Sequence, residues 1–499
     1  MKIFTAEQIR HWDQFTISSE PVSSIQLMER ASEALAGWIS ENCKNYRKFT
    51  VFCGNGNNGG DGFAVARILY LKGFDVDVFI KDLKSKFSED GAANFKKLRD
   101  FSGISVKEFK DIDQNNFDNK TVIIDALFGT GLSRNIEGEY KEIIDKLNAR
   151  NNVKISVDLP SGLFADSILQ EDSTVFKVDY TLSFQSWKKA FLHPETGPYA
   201  GKVIILNIDL NKEYASDTET NDFVIDDSVI EHIFKPRSEF SHKGTYGKVT
   251  LAAGSYGKIG AAVLSARAAL KTGTGLTFTL APKCGYEILQ TSCPEAMFIE
   301  GGENHIHRFE IEKDSVAGIG PGLGTDTGTQ KALIQFLKDY TKPLVLDADA
   351  LNILAQDKEN IKLIPEKSII TPHPKEFERL FGKQENSFQR LELARNKAKE
   401  FQIYIVLKDH HTQVVTPEGR VYYNITGNSG LAKGGSGDIL TGIITSLVAQ
   451  KYSEEQAAIL GIWLHGKAAD FAAEKYSRES MLPTDVINEL GNVFKILEK

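Results

Sequence analysis

Residues 431–447, LAKGGSGDILTGIITSL, place the tightest constraint on this chain. Gly434, Gly435, Ser436 and Gly437 run directly into Asp438 and an apolar helical pattern of Ile439, Leu440, Ile443, Ile444 and Leu447. A glycine turn feeding a helix start leaves backbone N–H groups unpaired at the positive end of the helix dipole, where they hold a phosphate oxyanion. The missing Cβ atoms let the ligand come close. Asp438 then stands beside the phosphate as a candidate base. A carboxylate at a helix start is often only an N-cap or a first-turn charge, so the neighbouring motifs decide.

With 499 residues, 41% of them hydrophobic and 25% charged, the chain has enough material for two large domains with sizeable cores. A net charge of -8 argues against general nucleic-acid binding, which usually shows a basic excess or stripe. Phosphate must therefore be met locally. Cys43, Cys53, Cys284 and Cys293 have neither CxxC pairing nor zinc-ligand spacing and read as reduced core thiols. The opening MKIFTAEQIRHWDQF enters a polar amphipathic helix with no apolar leader, and no run approaches about 18 apolar residues. A cytoplasmic protein without membrane partner is expected.

Helical periodicity opens the chain, and apolar runs then alternate with helical stretches. Strands are expected at 49–53, 76–80, 122–125, 155–158, 180–184 and 203–205. Residues 211–240 are polar, acidic and turn-rich, as suits a linker or a domain entry, with a boundary near 220. The alternation restarts at Lys248 with KVTLAAG, a helix over 260–272, LTFTLA, SVAGIG, a helix over 327–338, PLVLDA, SIITPH, a helix over 387–401, IYIVLK and helices from 436 onward. Two α/β domains follow from this pattern.

In the first half, residues 54–62 read GNGNNGGDG between the strand TVFC and the helical FAVARILYL. Five glycines and three asparagines in nine residues cost too much backbone entropy for a core element. They form a ligand loop, although neither a dinucleotide GxGxxG nor a Walker loop. Asp125 and Asp158 end apolar strands ahead of ALFGTGLSRN and LPSGL. That edge of a parallel sheet is where ligands bind, so Asn58, Asp125 and Ser161 converge as hard oxygen ligands for an alkali or alkaline-earth cation.

On NNGGDG, IIDALFGTGLSRN and SVDLPSG, the first half resembles the epimerase domain of the NAD(P)H-hydrate repair enzymes. The resemblance implies a Rossmann-like domain over residues 1–215 that interconverts the R and S epimers of hydrated NADH and NADPH. It implies potassium held by Asn58, Asp125 and Ser161. It further implies substrate contacts at Asn57, Asn58, Gly59, Gly60 and Asp61, at Gly129, Thr130, Gly131, Leu132, Ser133, Arg134 and Asn135, and at Asp158. Epimerisation at the hydrated ring carbon needs acid/base help, and Asp158 is the candidate.

In the second half, SHKGTYGKVTLAAGS leads to GAAVLSARAALKTGTG, whose Gly260, Ala261 and Ala262 open a helix with little bulk against a flat ligand. Pro321 fixes the turn of IGPGLG, and LDADALN closes a strand with Asp347 and Asp349. His373 is pinned between two prolines in TPHPKEF, whereas His305 and His307 in NHIHRF read as surface positions. KDHHT follows the strand IYIVL, so Lys408 reaches an anion and Thr412 donates a hydrogen bond.

From about residue 235 onward, these motifs, ending in NSGLAKGGSGDILTG, resemble the dehydratase half of the same repair enzymes, similar in fold to ribokinase. The resemblance implies a domain over 225–499 in which ADP or ATP, with Mg2+, phosphorylates the hydroxyl of the S hydrate, and loss of phosphate restores NAD(P)H. Asp438 takes the hydroxyl proton. Substrate contacts map to Ala261, Ala262, Gly322, His373 and Asp438. The nucleotide maps to Lys408, Asp409, His410, His411 and Thr412 and to Gly434, Gly435, Ser436 and Gly437. Two departures from the family pattern stand out: Asp409 replaces the glycine that commonly follows the lysine, and Lys258-Ile259 replaces a bulkier turn. Small-molecule substrates and a homo-oligomer are expected. The alternative is a ribokinase-like vitamin or sugar kinase with a non-catalytic N-terminal binding domain.

Overall fold

A computed structural model of the chain describes residues 1–114 and 117–498. Contacts divide it into two compact units, residues 2–220 and residues 221–499 together with Met1.

The first unit is built on seven strands, β1 (Lys48–Cys53), β2 (Asp75–Ile80), β3 (Ser105–Glu108), β4 (Thr121–Ala126), β5 (Lys154–Val157), β6 (Tyr180–Phe184) and β7 (Lys202–Leu206). Their order is β3-β2-β1-β4-β5-β6-β7, and every pairing is parallel. Helices cover such a sheet on both faces, so its central strands are mostly apolar: Phe49, Val51, Phe52, Val122, Ile123 and Ile124 are fully buried. The order reverses between β1 and β4, whose ends meet at Cys53 and Ala126. Loops leaving that point in opposite directions open the crevice where parallel sheets bind ligands.

The second unit continues with β8 (Asp222–Ile225), β9 (Lys248–Ala252), β10 (Leu276–Ala281), β11 (Met297–Glu300), β12 (Val316–Ile319), β13 (Val345–Leu346), β14 (Ile369–Ile370), β15 (Tyr404–Leu407), β16 (Gln413–Val415) and β17 (Val421–Asn424). The sheet runs β11-β10-β9-β12-β13-β14-β15-β16-β17-β8. It is parallel up to β15 and turns antiparallel through β16 and β17. A Rossmann-like first unit and an α/β second unit agree with the fold class read from the sequence. The helix Ser436–Ala449 packs Ile439, Ile443, Ile444 and Leu447 into the main core, and its neighbour Glu454–Tyr476 is buried along most of its length.

The stretch 211–240 is not an irregular linker. It folds into the helix Lys212–Asp217, the strand β8 and the helix Asp227–Ile233. The strand adds to the sheet edge against β17, with Asp222 opposite Val421 and its carboxylate 2.5 Å from Arg395. A four-residue strand lies below the length at which periodicity is readable. Among the described residues, no helix is long and apolar enough to cross a membrane.

Candidate active sites

In the first unit, close packing requires the glycines of the 54–62 loop. A Cβ on Gly54 would lie 1.9 Å from the Leu127 carbonyl oxygen, and one on Gly59 would lie 1.9 Å from that of Gly54. Bare backbone therefore lets the loop turn into the helix Asn57–Leu71 directly over the end of β4. Next to this turn lies a cavity of about 850 Å³. Its wall includes Asn57, Asn58, Asp61, the segment from Gly129 to Arg134, and Asp158. Gly59, Gly60 and Asn135 stand behind the wall: Gly60 faces the Met28 sulfur, and the Asn135 side chain accepts a hydrogen bond from Ser173 (2.8 Å).

Asp125 is fully buried at the end of β4. It accepts hydrogen bonds from the Ser161 hydroxyl (2.6 Å), the Ser161 N–H (2.8 Å) and the Leu127 N–H (3.2 Å). Burial outweighs these bonds and raises its pKa to about 6, and no cationic side chain is among the groups acting on it. Asn58 lies against the loop that follows β4, since a Cβ on Gly129 would come 3.2 Å from its Oδ1, while its buried Nδ2 has no hydrogen-bond partner. An uncompensated buried carboxylate with hydroxyl and amide oxygens alongside fits a weakly hydrated monovalent cation.

Asp158 adopts a left-handed backbone (φ 62°) just past β5. Its Oδ1 lies 2.5 Å from the Lys188 ammonium and accepts from the Phe184 N–H at 2.9 Å. Lys188 is only 1% exposed and also donates to the Ser183 hydroxyl (2.6 Å). Neither Lys188 nor Asp13, which lines the same cavity from the helix Ala6–Ser19, stands out in the sequence. Each sits in ordinary helical or loop context, and only the folded chain brings it to Asp158.

In the second unit, Asp347 follows β13, Lys408 follows β15 and the helix Ser436–Ala449 starts opposite them. The Lys408 ammonium is 2.8 Å from Asp347 Oδ1, and the Thr441 hydroxyl donates to Asp347 Oδ2 at 2.8 Å. Glu376 is 3.8 Å from the same ammonium. Burial works against the charged lysine, but Asp347 and Glu376 prevail and raise its pKa. Gly437 leaves the approach clear: a Cβ there would already touch the Lys408 nitrogen at 3.4 Å and Asp347 at 3.5 Å. Gly435 caps the helix at φ 99°, a backbone that non-glycine residues rarely adopt. Asp438, in the first turn, has its pKa raised to about 6, by burial first and by Asp347 second, with Lys408 opposing.

Gly322 and Ala261 come together, for a Cβ on Gly322 would be 2.8 Å from that of Ala261. Ala262 points into the core instead. Asp349 is held by the Gly324 N–H (2.8 Å) and by Lys258 (3.3 Å). His373 caps the helix Pro374–Phe381 through Nδ1. Burial and then Lys408 lower its pKa. Asp409 does not present a bare negative charge, because Arg390 pairs with it at 2.5 Å. His411 bonds the Asn424 carbonyl at 3.0 Å, and burial lowers its pKa to about 4. His410 is exposed beside it. His307 is exposed as expected, whereas His305 is half-buried with an unpartnered Nδ1.

The family model for NAD(P)H-hydrate dehydratase matches residues 249–492, and that for the YjeF-related protein N-terminus matches 24–190. The bifunctional NAD(P)H-hydrate repair enzyme Nnr of Thermofilum pendens is 31% identical over 100% of this chain and 97% of its own length. The enzyme of the same name from Escherichia coli is 32% identical over 98% of this chain and 93% of its own. The chain belongs to the bifunctional NAD(P)H-hydrate repair enzymes. Among solved structures, the ADP/ATP-dependent NAD(P)H-hydrate dehydratase from Bacillus subtilis, co-crystallised with ATP and Mg2+, is 30% identical with a TM-score of 0.50. It covers 56% of this chain and 100% of its own length. Membership in this repair family, with its epimerase and ribokinase-like dehydratase parts, sets aside the vitamin or sugar kinase.

Proposed function

We propose that the two units complete one repair, with the first interconverting the R and S hydrates of NADH and NADPH and the second dehydrating the S form at the expense of ADP or ATP. The observation that carries this reading is Asp438, a half-buried carboxyl of raised pKa at a glycine-opened helix start, facing the Lys408–Asp347 pair.

Hydration of a dihydropyridine ring leaves a hydroxyl on the carbon beside the ring nitrogen. In the second unit Asp438 takes the proton of that hydroxyl as its oxygen attacks the terminal phosphorus of the Mg2+-bound nucleotide. The P–O bond to the leaving nucleotide breaks, giving AMP from ADP or ADP from ATP. N–H groups at Gly434–Gly437 and the Lys408 ammonium stabilise the charge spread over the transferring group. The ring nitrogen then expels phosphate with its bonding electrons, and loss of a proton from the next carbon restores the ring double bond. Ala261 and Gly322 keep a flat ligand surface free of bulk, and His373 supplies a neutral contact.

In the first unit the loop segments 57–61 and 129–135 hold the hydrate. Asp158, paired with Lys188, stabilises the positive ring that forms as the hydroxyl departs. Asn58, Asp125 and Ser161 would hold potassium, which when bound balances the Asp125 charge and ties the two loops together.

Supplying the S hydrate with Mg2+ and either nucleotide tests the reading. NADH absorbance is expected to return with one phosphate released per molecule restored. A stable phosphoester without NADH would contradict it.

A further inference from the structure

Inversion at the hydrated carbon by breaking its C–O bond needs a proton for the departing oxygen and a base for the water that returns. Asp158 is poorly suited to either task, since its Oδ1 is held by Lys188 (2.5 Å), the Phe184 N–H (2.9 Å) and the Ser183 hydroxyl (3.4 Å). Its position is fixed by these bonds. Asp13 lines the same cavity as Asp158 and the 57–61 loop, and among the described residues its carboxyl makes no hydrogen bond or salt bridge.

Its helix is firmly docked. The Trp12 indole donates to the Asn211 carbonyl at 2.7 Å, the Tyr214 hydroxyl donates to Gln8 at 2.9 Å, and Asp166 accepts from the Ala6 N–H at 2.8 Å. A carboxyl so placed, without a partner of its own, takes no part in holding the helix.

We infer that Asp13 is the proton-carrying catalytic residue of the epimerase site. The inference rests on the epimerase reading of this cavity. As the C–O bond breaks, the Asp13 carboxyl protonates the departing oxygen, which leaves as water with the bonding electrons while the ring nitrogen forms a C=N bond. Water then adds from the opposite face and returns its proton to the Asp13 carboxylate. No atom or charge is gained or lost, and the hydroxyl oxygen now comes from solvent.

The groups facing Asp13 suit the task. Asp158 and Asp61 are its acidic neighbours, Lys188 is the buried cation, Arg10 lines the cavity one turn away, and Asp90 stands behind Asp61, held by Ser24. Burial first, and Asp158 second, raise the pKa of Asp13 to about 7, with Lys188 opposing. A proton carrier is most effective near its working pH. Burial first, then Asp158, Asp13 and Asp90, raise the pKa of Asp61 as well.

The test compares the full-length wild type with Asp13→Asn and Asp13→Glu. Interconversion of the R and S hydrates is followed by chromatography from pH 5.5 to 8.5, with dehydration of the S hydrate measured in the same samples. Asp13→Asn is expected to lose about 100-fold or more in epimerase kcat with little change in KM and full dehydration. Asp13→Glu should recover part of that loss. The wild-type kcat should fall above pH ~7 and Asp13→Asn should lack that limb, because only the protonated carboxyl can release the hydroxyl. An Asp13→Asn protein within about threefold of wild type, with the same pH limb, would overturn the inference. A wild type that dehydrates the S hydrate yet never interconverts the epimers would overturn the epimerase reading itself, and the inference with it.

Discussion

Both units set a lysine against an aspartate at the end of a parallel sheet, Lys188 with Asp158 in one and Lys408 with Asp347 in the other. Beside each pair stands a second carboxyl whose pKa is raised, Asp13 to about 7 and Asp438 to about 6. The pair fixes charge, while the neighbouring carboxyl is free to exchange a proton. The difference lies in where that carboxyl originates. Asp438 belongs to the glycine-rich helix start proposed to hold the phosphate, whereas Asp13 comes from the opening helix, far along the chain from Asp158. Phosphoryl transfer needs base and anion site in fixed register, which one local motif supplies. Proton exchange at a ring carbon needs only proximity, which tertiary packing supplies.

The largest expected effect separates the two sites. Asp438→Asn should lower dehydration about 1000-fold and leave interconversion of the epimers at the wild-type rate, read in one sample by absorbance and chromatography. Equal loss of both activities would merge the sites. Next comes the first pair: Lys188→Met leaves the Asp158 carboxylate, 13% exposed, without its cation. Breaking such a pair typically costs about 3 kcal/mol, measurable as a lower unfolding midpoint of the first unit with the second unchanged. An unaltered midpoint would mean that Asp158 is solvated after all.

The pH profile sharpens the contrast. Dehydration needs the ionised form of Asp438, whose raised pKa removes that form as the pH falls, so kcat should drop about tenfold per pH unit below about 6 and level off above it. Epimerisation should instead decline on the alkaline side. Profiles that bend in the same direction would break the comparison. The smallest effect belongs to Asp409. Because Arg390 already neutralises it, Asp409→Gly should shift the nucleotide KM by about two- to fivefold, and a shift above about 50-fold would place the carboxylate in direct contact with nucleotide.

How far the sequence discloses this depends on locality. The glycine loops, Asp125, Asp158, Asp347 and Lys408 were legible because each lies at the end of an apolar run, where parallel sheets gather their ligands. The α/β class followed from the same alternation. Three features were not legible. The strand β8 lay in a polar stretch too short for a period to register. Lys188 carries no motif, and its burial depends on meeting Asp158 across the loop after β6. The Asp409 charge looked adverse because its partner Arg390 lies on a separate helix, Ser387–Phe401. In each case the missing signal is a long-range pairing.

The central claim is that two independent sites act in sequence on one pool of damaged cofactor. The most direct measurement supplies an R/S mixture of NADH hydrate to the wild-type protein with K+, Mg2+ and ADP or ATP, over a time short against spontaneous epimerisation. The account predicts recovery of both epimers as NADH, with AMP or ADP and phosphate formed in equal amount. Recovery that stops when the S form is exhausted, leaving the R form untouched, would contradict it.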